Sequence, residues 1–485
     1  MADKLKEKTA KGLFWSSVQN FSVQGIEFAL MLFMARLLGP KEYGTIGLLG
    51  VFMAISHIFI RSGFASALIR KKDRTQEDLC TVFYFNIGMS VLCYLILFII
   101  APFVADFYKI PVLSPILRVI GLTLIIGAFN TVQVAVFNFT INFKVQAKIS
   151  IVQTLAGGFS GLAFALMGYG VWALVWQRVI TSVIACVMCW THAKWKPTWV
   201  FSKKSFKEFF NYGYKLVLTG LITTLYNNVY PVIVGKFFTA DILGHSSRAN
   251  HWASFPSSNL TNILKNVTFA SLAKIQDDDV RLGRAYRKMI RTSAFVIFPS
   301  MFGLGAVSAP MMYVVLGPKW GLCAEILPIF CFTYMLQPIH SLNRNLLLVK
   351  GRSDLTLKLS IIQKVIGLSL MIAAVPYGVF AIFYAGCIVS VLMLFMNTYY
   401  TGKFINVGFW KQMKDVTPTT LICTAMYICV KLTLAVIPNV YIQLVVSILV
   451  GIGVYVGLAK LFKFEELGEV WSMYKEMRKQ KQKKA

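Results

Sequence analysis

Lys148-Ile149-Ser150-Ile151-Val152-Gln153 decides the fold, because it returns as Lys358-Leu359-Ser360-Ile361-Ile362-Gln363, 210 positions later. Two other echoes accompany it. Tyr169-Gly170-Val171-Trp172-Ala173 returns as Tyr377-Gly378-Val379-Phe380-Ala381, at an offset of 208. Ala35-Arg36-Leu37-Leu38 with Gly44 returns as Gly235-Lys236-Phe237-Phe238 with Gly244, at an offset of 200. Three echoes in one order and at nearly one spacing indicate two homologous halves.

The segments around these echoes are apolar. The chain has 485 residues, of which 57% are hydrophobic and 14% charged, against about 25% charged in soluble domains. Runs close to the roughly 20 residues that cross about 30 Å of hydrocarbon recur from end to end. Fourteen spans are expected. Six fall in each half, and two more, about 417–437 and 440–461, follow the repeat. The expected fold is an all-α integral membrane protein, with two parallel six-helix repeats around a central cavity plus two C-terminal helices. Its divisions are an N-lobe at 1–200, a C-lobe at 201–408, the two added helices at 409–463, and a basic cytoplasmic tail helix at 464–485.

A net charge of +29 could suggest nucleic acid, but its distribution does not. The odd-numbered connections between spans are short and bring few cations, namely Lys41, Lys109, Lys236 and Lys319. The even-numbered connections and both termini hold most of the rest. The positive-inside rule then puts both termini in the cytoplasm, and contact with anionic lipid accounts for the basic excess. Six spans per half is an even number. The halves therefore start on the same side, as parallel repeats with a site near mid-membrane.

Charges inside spans are costly and usually face a cavity or a partner. Arg61, Arg178, Arg248 and Lys364 stand well inside theirs and are expected to face a cavity. Span one carries a polar stripe, Ser16, Asn20, Gln24 and Glu27, at helical spacing. Glu27 is a candidate for charge pairing or ion coupling. The 200 offset maps it to Asn227, in a patch with Thr223, Thr224, Tyr226, Asn228 and Tyr230. The bland alternative for both faces is hydrogen-bonded helix packing. Span eight is the least apolar, running from His245 through Arg248 and Asn259 to Thr268, with Pro256 suggesting a kink. Several Arg and Lys among amides and hydroxyls, with few carboxylates, suit an anionic, hydroxyl-rich solute.

No catalytic constellation stands out, and neither a metal nor another cofactor is expected. Asp277-Asp278-Asp279 reads as a solvated charge run beside Arg281 and Arg284. Cys186 and Cys189 form a C-x-x-C without a partner pair and read as packing.

Several stretches resemble a known family. They include Ala35-Arg36-Leu37-Leu38-Gly39-Pro40 with Tyr43-Gly44, Gln76-Glu77-Asp78-Leu79, and Gly168-Tyr169-Gly170-Val171-Trp172-Ala173-Leu174. Ser247-Arg248-Ala249, Leu342-Asn343-Arg344-Asn345-Leu346-Leu347-Leu348 and Gly351-Arg352-Ser353-Asp354-Leu355 belong with them. The chain resembles the polysaccharide transport family, the Wzx-type flippases of the multidrug/oligosaccharidyl-lipid/polysaccharide exporter superfamily. It looks most like the exopolysaccharide, colanic-acid and teichuronic-acid exporter branch. The resemblance implies a non-enzymatic flippase of the bacterial inner membrane. Such a protein moves undecaprenyl-pyrophosphate-linked repeat units to the outer leaflet by alternating access. Its partners would be the lipid-linked oligosaccharide, the phospholipid membrane, and a polysaccharide polymerase and chain-length regulator. Arg61, Arg178, Arg248, Lys364, Asn227 and Asn259 are then the candidate contacts to headgroup and sugar. A cation-coupled multidrug antiporter, a peptidoglycan lipid-precursor flippase and, more distantly, a membrane polymerase or ligase are the alternatives.

Overall fold

A computed structural model describes residues 2–61, 64–71 and 73–468 of the chain. The described residues form nineteen α-helices. In order, these are α1 (Ala2–Leu37), α2 (Pro40–Leu48), α3 (Gly50–Arg61), α4 (Phe64–Arg70), α5 (Gln76–Tyr108), α6 (Leu113–Ala128), α7 (Thr131–Phe139), α8 (Phe143–Leu166), α9 (Val171–His192) and α10 (Lys203–Phe237). Next come α11 (Ala240–Ala273), α12 (Asp279–Ala306), α13 (Ser308–Leu316), α14 (Gly321–Met335), α15 (Gln337–Val349), α16 (Ser353–Ala374), α17 (Val379–Ile405), α18 (Phe409–Val436) and α19 (Val440–Leu461).

Among the described residues, ten helices are long and apolar enough to cross a membrane, and twelve if each of two bent pairs counts as one span. The expected fourteen are not all reproduced, for identifiable reasons. The eighth, α11, is long enough but too polar to qualify. The second, expected over 45–69, is divided among α2, α3 and α4. One bent pair, α1 with α2, turns through 115° at Gly39. There Glu42 accepts a hydrogen bond from the Gly39 amide at 2.8 Å, and Pro40 starts the new helix. The expected tail helix lies outside the described residues beyond position 468.

Backbone geometry shows the repeat directly. Ile141 has φ 57°, and Asn142, which precedes α8, has φ −95° and ψ 59°. At the 210 offset, Gly351 has φ 71°, and Arg352, which precedes α16, has φ −94° and ψ 59°. Gly170 and Gly378, at the 208 offset, open α9 and α17 with φ 54° and 95°. The positive φ with extended ψ at Gly170 and Gly378 is easy only for glycine, which explains why the echo keeps it there, whereas Ile141 and Gly351 share the positive φ without sharing the residue.

The chain divides into two compact units, Met1–Gly244 and His245–Ala485. In the first, α8 is a seat of small residues. A Cβ on Gly158 would fall 2.0 Å from Leu30 of α1, and one on Gly157 would fall 1.8 Å from Thr181 of α9. Without a hydrophobic drive between helices in lipid, such close approach maximises dispersion contact. A capping box starts α5: Thr75 accepts from the Asp78 amide at 3.2 Å, and Asp78 accepts from the Thr75 amide at 3.0 Å. Asp78 also pairs with Lys71 at 3.0 Å, and Lys71 reaches Glu208 of α10 at 3.1 Å. Desolvation by burial pulls the Lys71 pKa down, but the hydrogen bonds and charges of Asp78 and Glu208 outweigh it, so the ammonium stands above its ordinary value.

The same unit holds a close crossing of α2 and the start of α11. A Cβ on Gly44 would fall 1.6 Å from the Ala240 carbonyl oxygen, and one on Gly244 would fall 1.8 Å from that of Pro40. Pro40 and Ala240 are themselves related by the 200 offset. Each arm therefore makes with the other what the other makes with it, as a two-fold axis requires.

The second unit is tied by polar groups as well as by core. Arg287 of α12 donates two hydrogen bonds, at 2.8 and 2.7 Å, to the carboxylate of Asp415 in α18. The Gln412 side-chain amide lies 2.9 Å from Thr401 Oγ1, 2.9 Å from the Val407 carbonyl and 3.1 Å from Asn343 Oδ1, all in buried surroundings. Such a network is stabilising because every member is satisfied. Asp415→Ala removes both bonds to Arg287. Because that guanidinium can rehydrate, the expected loss is about 1–2 kcal/mol, read as a lowered thermal midpoint of the purified protein in detergent.

Candidate functional site

Helix α11 has two faces of different chemistry. His245, Ala249, Ala253, Ser257 and Thr261, four residues apart, are buried, and small residues dominate that face. Opposite them Ser247, His251, Phe255, Asn259 and Asn262 are exposed, and Arg248 is half-buried beside them. The buried face is fixed by hydrogen bonds to α14. The Tyr334 hydroxyl donates to Asn250 Oδ1 at 2.9 Å, and the Ser257 hydroxyl donates to the Tyr334 carbonyl at 2.7 Å. His245 meets Trp320 edge-on at 5.6 Å between ring centroids.

The helix is continuous from Ala240 to Ala273 and carries Pro256 inside it. Arg248 and Asn259, eleven residues apart, lie close to one azimuth and about 16 Å apart along the axis. A row of hydroxyl, imidazole, amide and guanidinium groups on the open side of a helix cannot face hydrocarbon without several kcal/mol of cost per unsatisfied group. It lines a wet path or contacts a polar ligand.

The other expected residues are distributed as follows. Lys364 is half-buried on α16. In the first unit, Arg178 is exposed on α9, Asn227 on α10 and Glu27 on α1. Asn20 and Gln24, of the same stripe as Glu27, are also exposed, while Gln19 donates to Ser150 of α8 at 2.8 Å. Within the Asn227 patch, Asn228 and Thr223 spend their donors on their own helix, on the carbonyls of Thr224 and Thr219 at 2.8 and 2.9 Å. Asn227 makes no such bond among the described residues and is exposed. Arg61 ends α3, but its side chain lies outside the described residues. Arg178, Arg248 and Lys364 each interact with at least one neighbour in the fold. The structure therefore brings Arg248 and Asn259 onto one face and places Glu27, Arg178 and Asn227 on three helices of the other unit.

Arg344 has no candidate role from the sequence. Arg344, inside the family-like stretch Leu342–Leu348, is half-buried on α15 one turn after His340. Its signal in the sequence is weak, because it stands in a helix that also carries Gln337, His340, Ser341, Asn343 and Asn345 and lies close to the cationic edge at Lys350 and Arg352.

These features define an all-helical, multi-pass membrane protein with an open polar face on a long internal helix. The chain belongs to the polysaccharide biosynthesis protein family, whose pattern it matches over residues 33–325. It is 24% identical over 426 residues to the teichuronic acid biosynthesis protein TuaB of Bacillus subtilis, covering 87% of this chain and 88% of that one. It is 23% identical to the lipopolysaccharide biosynthesis protein WzxC of Escherichia coli, covering 74% and 73%. To the probable low-salt glycan biosynthesis flippase Agl15 of Haloferax volcanii it is 22% identical, covering 92% and 94%. Its fold is similar to that of the lipid II flippase MurJ in an inward closed conformation, with a TM-score of 0.73, 14% identity, and coverage of 93% of this chain and 98% of that one.

Proposed function

We propose that this protein is a flippase for undecaprenyl-pyrophosphate-linked oligosaccharide repeat units, moving them from the cytoplasmic to the outer leaflet by alternating access during surface polysaccharide export. The observation that carries this reading is the exposed face of α11. In a chain this apolar, hydroxyl, imidazole, amide and guanidinium groups gathered on one open helix face, with Phe255 among them, mark a route for a polar, negatively charged solute. Arginine and amide side chains suit phosphate and sugar hydroxyls, respectively. The names of the relatives, among them biosynthesis proteins for teichuronic acid and lipopolysaccharide and a glycan flippase, support it.

In this proposal Arg248 and Asn259 contact the headgroup and glycan, with Arg178, Asn227, Lys364 and Arg61 handling them along the way. Both termini face the cytoplasm of the bacterial inner membrane, and a polymerase and chain-length regulator receive the product outside. A null strain complemented with the wild-type gene should regain surface polysaccharide. Without complementation, lipid-linked repeat units should accumulate on the cytoplasmic leaflet. Normal polysaccharide in the null strain would overturn the reading.

Glu27 is the proposed site of ion coupling, since it is an exposed carboxylate on a span and no ion pair holds it among the described residues. Glu27→Gln should reduce export several-fold and abolish any response of transport in vesicles to an imposed proton or sodium gradient. Unchanged gradient dependence would remove Glu27 from the mechanism.

A further inference from the structure

The α15–α17 pair of the second unit contains a polar cluster that the α11 face does not use. Asn397 of α17 is 2% exposed, and its amide donates to His340 Nδ1 at 3.2 Å. The imidazole then carries its proton on Nε2, 3.1 Å from Ser390 Oγ. Ser390 thus accepts from the ring and keeps its own hydroxyl hydrogen for another acceptor. The second polar atom of Asn397, Oδ1, is buried and has no partner.

Arg344 follows one turn after His340, close enough for its charge to act on the ring. Gln337, Ser341 and Arg344, spaced four and three apart, are half-buried, while Ile339, Leu342, Asn343, Leu346 and Leu347 of the same helix are buried. The polar side of α15 is therefore its open side.

Among the described residues no carboxylate forms an ion pair with Arg344. Four acids of this unit are engaged by other cations: Asp415 by Arg287, Asp279 by Lys350, Asp354 by Arg352 and Glu466 by Arg291. Among the described residues no hydrogen bond or ion pair engages its guanidinium. A half-buried guanidinium left without a counter-charge is costly, and a bound anion relieves that cost. Arg344 lies five residues before the end of α15, about 7.5 Å along the axis, nearer the end of the apolar stretch Pro318–Val349 than its middle.

We infer that this cluster binds a phosphate-type oxyanion. Arg344 supplies the planar two-donor fork that phosphate favours over a point charge, and the Ser341 and Ser390 hydroxyls and the Gln337 amide add neutral donors. Asn397 Oδ1 supplies an acceptor for the one hydroxyl of a hydrogen phosphate or phosphate monoester. A halide or a simple carboxylate has no proton to give it. The same chemistry is presented by inorganic phosphate and by a lipid phosphate reaching the site from the bilayer. The inference concerns binding alone, so it can fail while the export reading stands, and the reverse also holds.

The test uses the full chain, purified and reconstituted in nanodiscs. Thermal stabilisation and native mass spectrometry would be read with inorganic phosphate, with a polyprenyl monophosphate in the bilayer, and with chloride at equal ionic strength. Wild type should bind at least one phosphate probe and not chloride. Arg344→Gln should weaken that binding about tenfold or more, whereas Arg344→Lys should weaken it less. Arg352→Gln, at an exposed pair with Asp354, should leave it unchanged. Asn397→Leu should reduce the preference for hydrogen phosphate over sulfate, which has no proton to donate. Because every variant is first matched to wild type by gel filtration and thermal midpoint, misfolding is distinguishable from lost binding. Response to the lipid alone places the ligand in the bilayer, and response to inorganic phosphate as well places it in solution. Equal affinity of Arg344→Gln and wild type for every probe, or no binding by either, overturns the inference.

Discussion

Arg248→Glu is expected to abolish surface polysaccharide export while leaving the protein in the membrane at near wild-type level. The residue lies on the open side of α11, which is held to α14 from its opposite side by Asn250 and Ser257. Those anchors do not involve the guanidinium, so the helix should keep its seat. Reversing the charge replaces attraction for a pyrophosphate by repulsion at contact distance, worth about 4 kcal/mol per charge pair even where the site is partly solvated. A change of several kcal/mol is sufficient for a loss of about a thousandfold in rate. Arg248→Lys keeps the charge but loses the two-donor fork and should retain partial export. The measurement is polysaccharide per cell, normalised to protein detected in the membrane. Full export by the glutamate variant would remove Arg248 from the path.

The second large effect is structural. Gly44→Val should prevent accumulation of folded protein. The added Cβ would fall 1.6 Å from a carbonyl oxygen of the backbone, and no rotamer change can relieve that contact. The two helices must separate instead, which places the expected cost in the range above about 4 kcal/mol reserved for severe overpacking. Gly244→Val should behave alike, since its Cβ would meet the Pro40 carbonyl at 1.8 Å. Gly453→Ala, where an added Cβ meets nothing within 4 Å, should change stability by less than about 0.5 kcal/mol. Monodisperse yield and thermal midpoint in detergent decide the matter. Normal folding of the Gly44 variant would mean that this crossing is looser than described.

Much of the architecture was legible because repetition is visible even where individual helices are ambiguous. The Lys148 and Lys358 echoes fall within α8 and α16, and the turns before those helices share their dihedral angles. Span counting was less secure. Hydropathy merges what breaks in the chain divide, as over 45–69, which α2, α3 and α4 share, and it passes over α11 because that helix is polar on its open side. That same polarity made α11 conspicuous as a candidate site. Asn259 and Arg248 could be placed on one face by spacing alone. Arg344 could not be singled out, because its significance depends on where the acids of distant helices go. Asp415 binds Arg287 across 128 positions, and no local pattern announces that Arg344 is left over.

The reciprocal contact of Pro40–Gly44 with Ala240–Gly244 bears on ancestry. A two-fold crossing is what two copies of one short polypeptide make when they associate as equals. Gene duplication and fusion would preserve it, since the fused chain inherits an interface already fitted to itself. Sequence elsewhere has drifted, with Glu27 facing Asn227 in the alignment of halves, but backbone lying on backbone leaves no side chain free to diverge. A reciprocal crossing is what such an origin predicts, and a stand-alone half-length chain carrying Gly44 should then be able to pair with itself there.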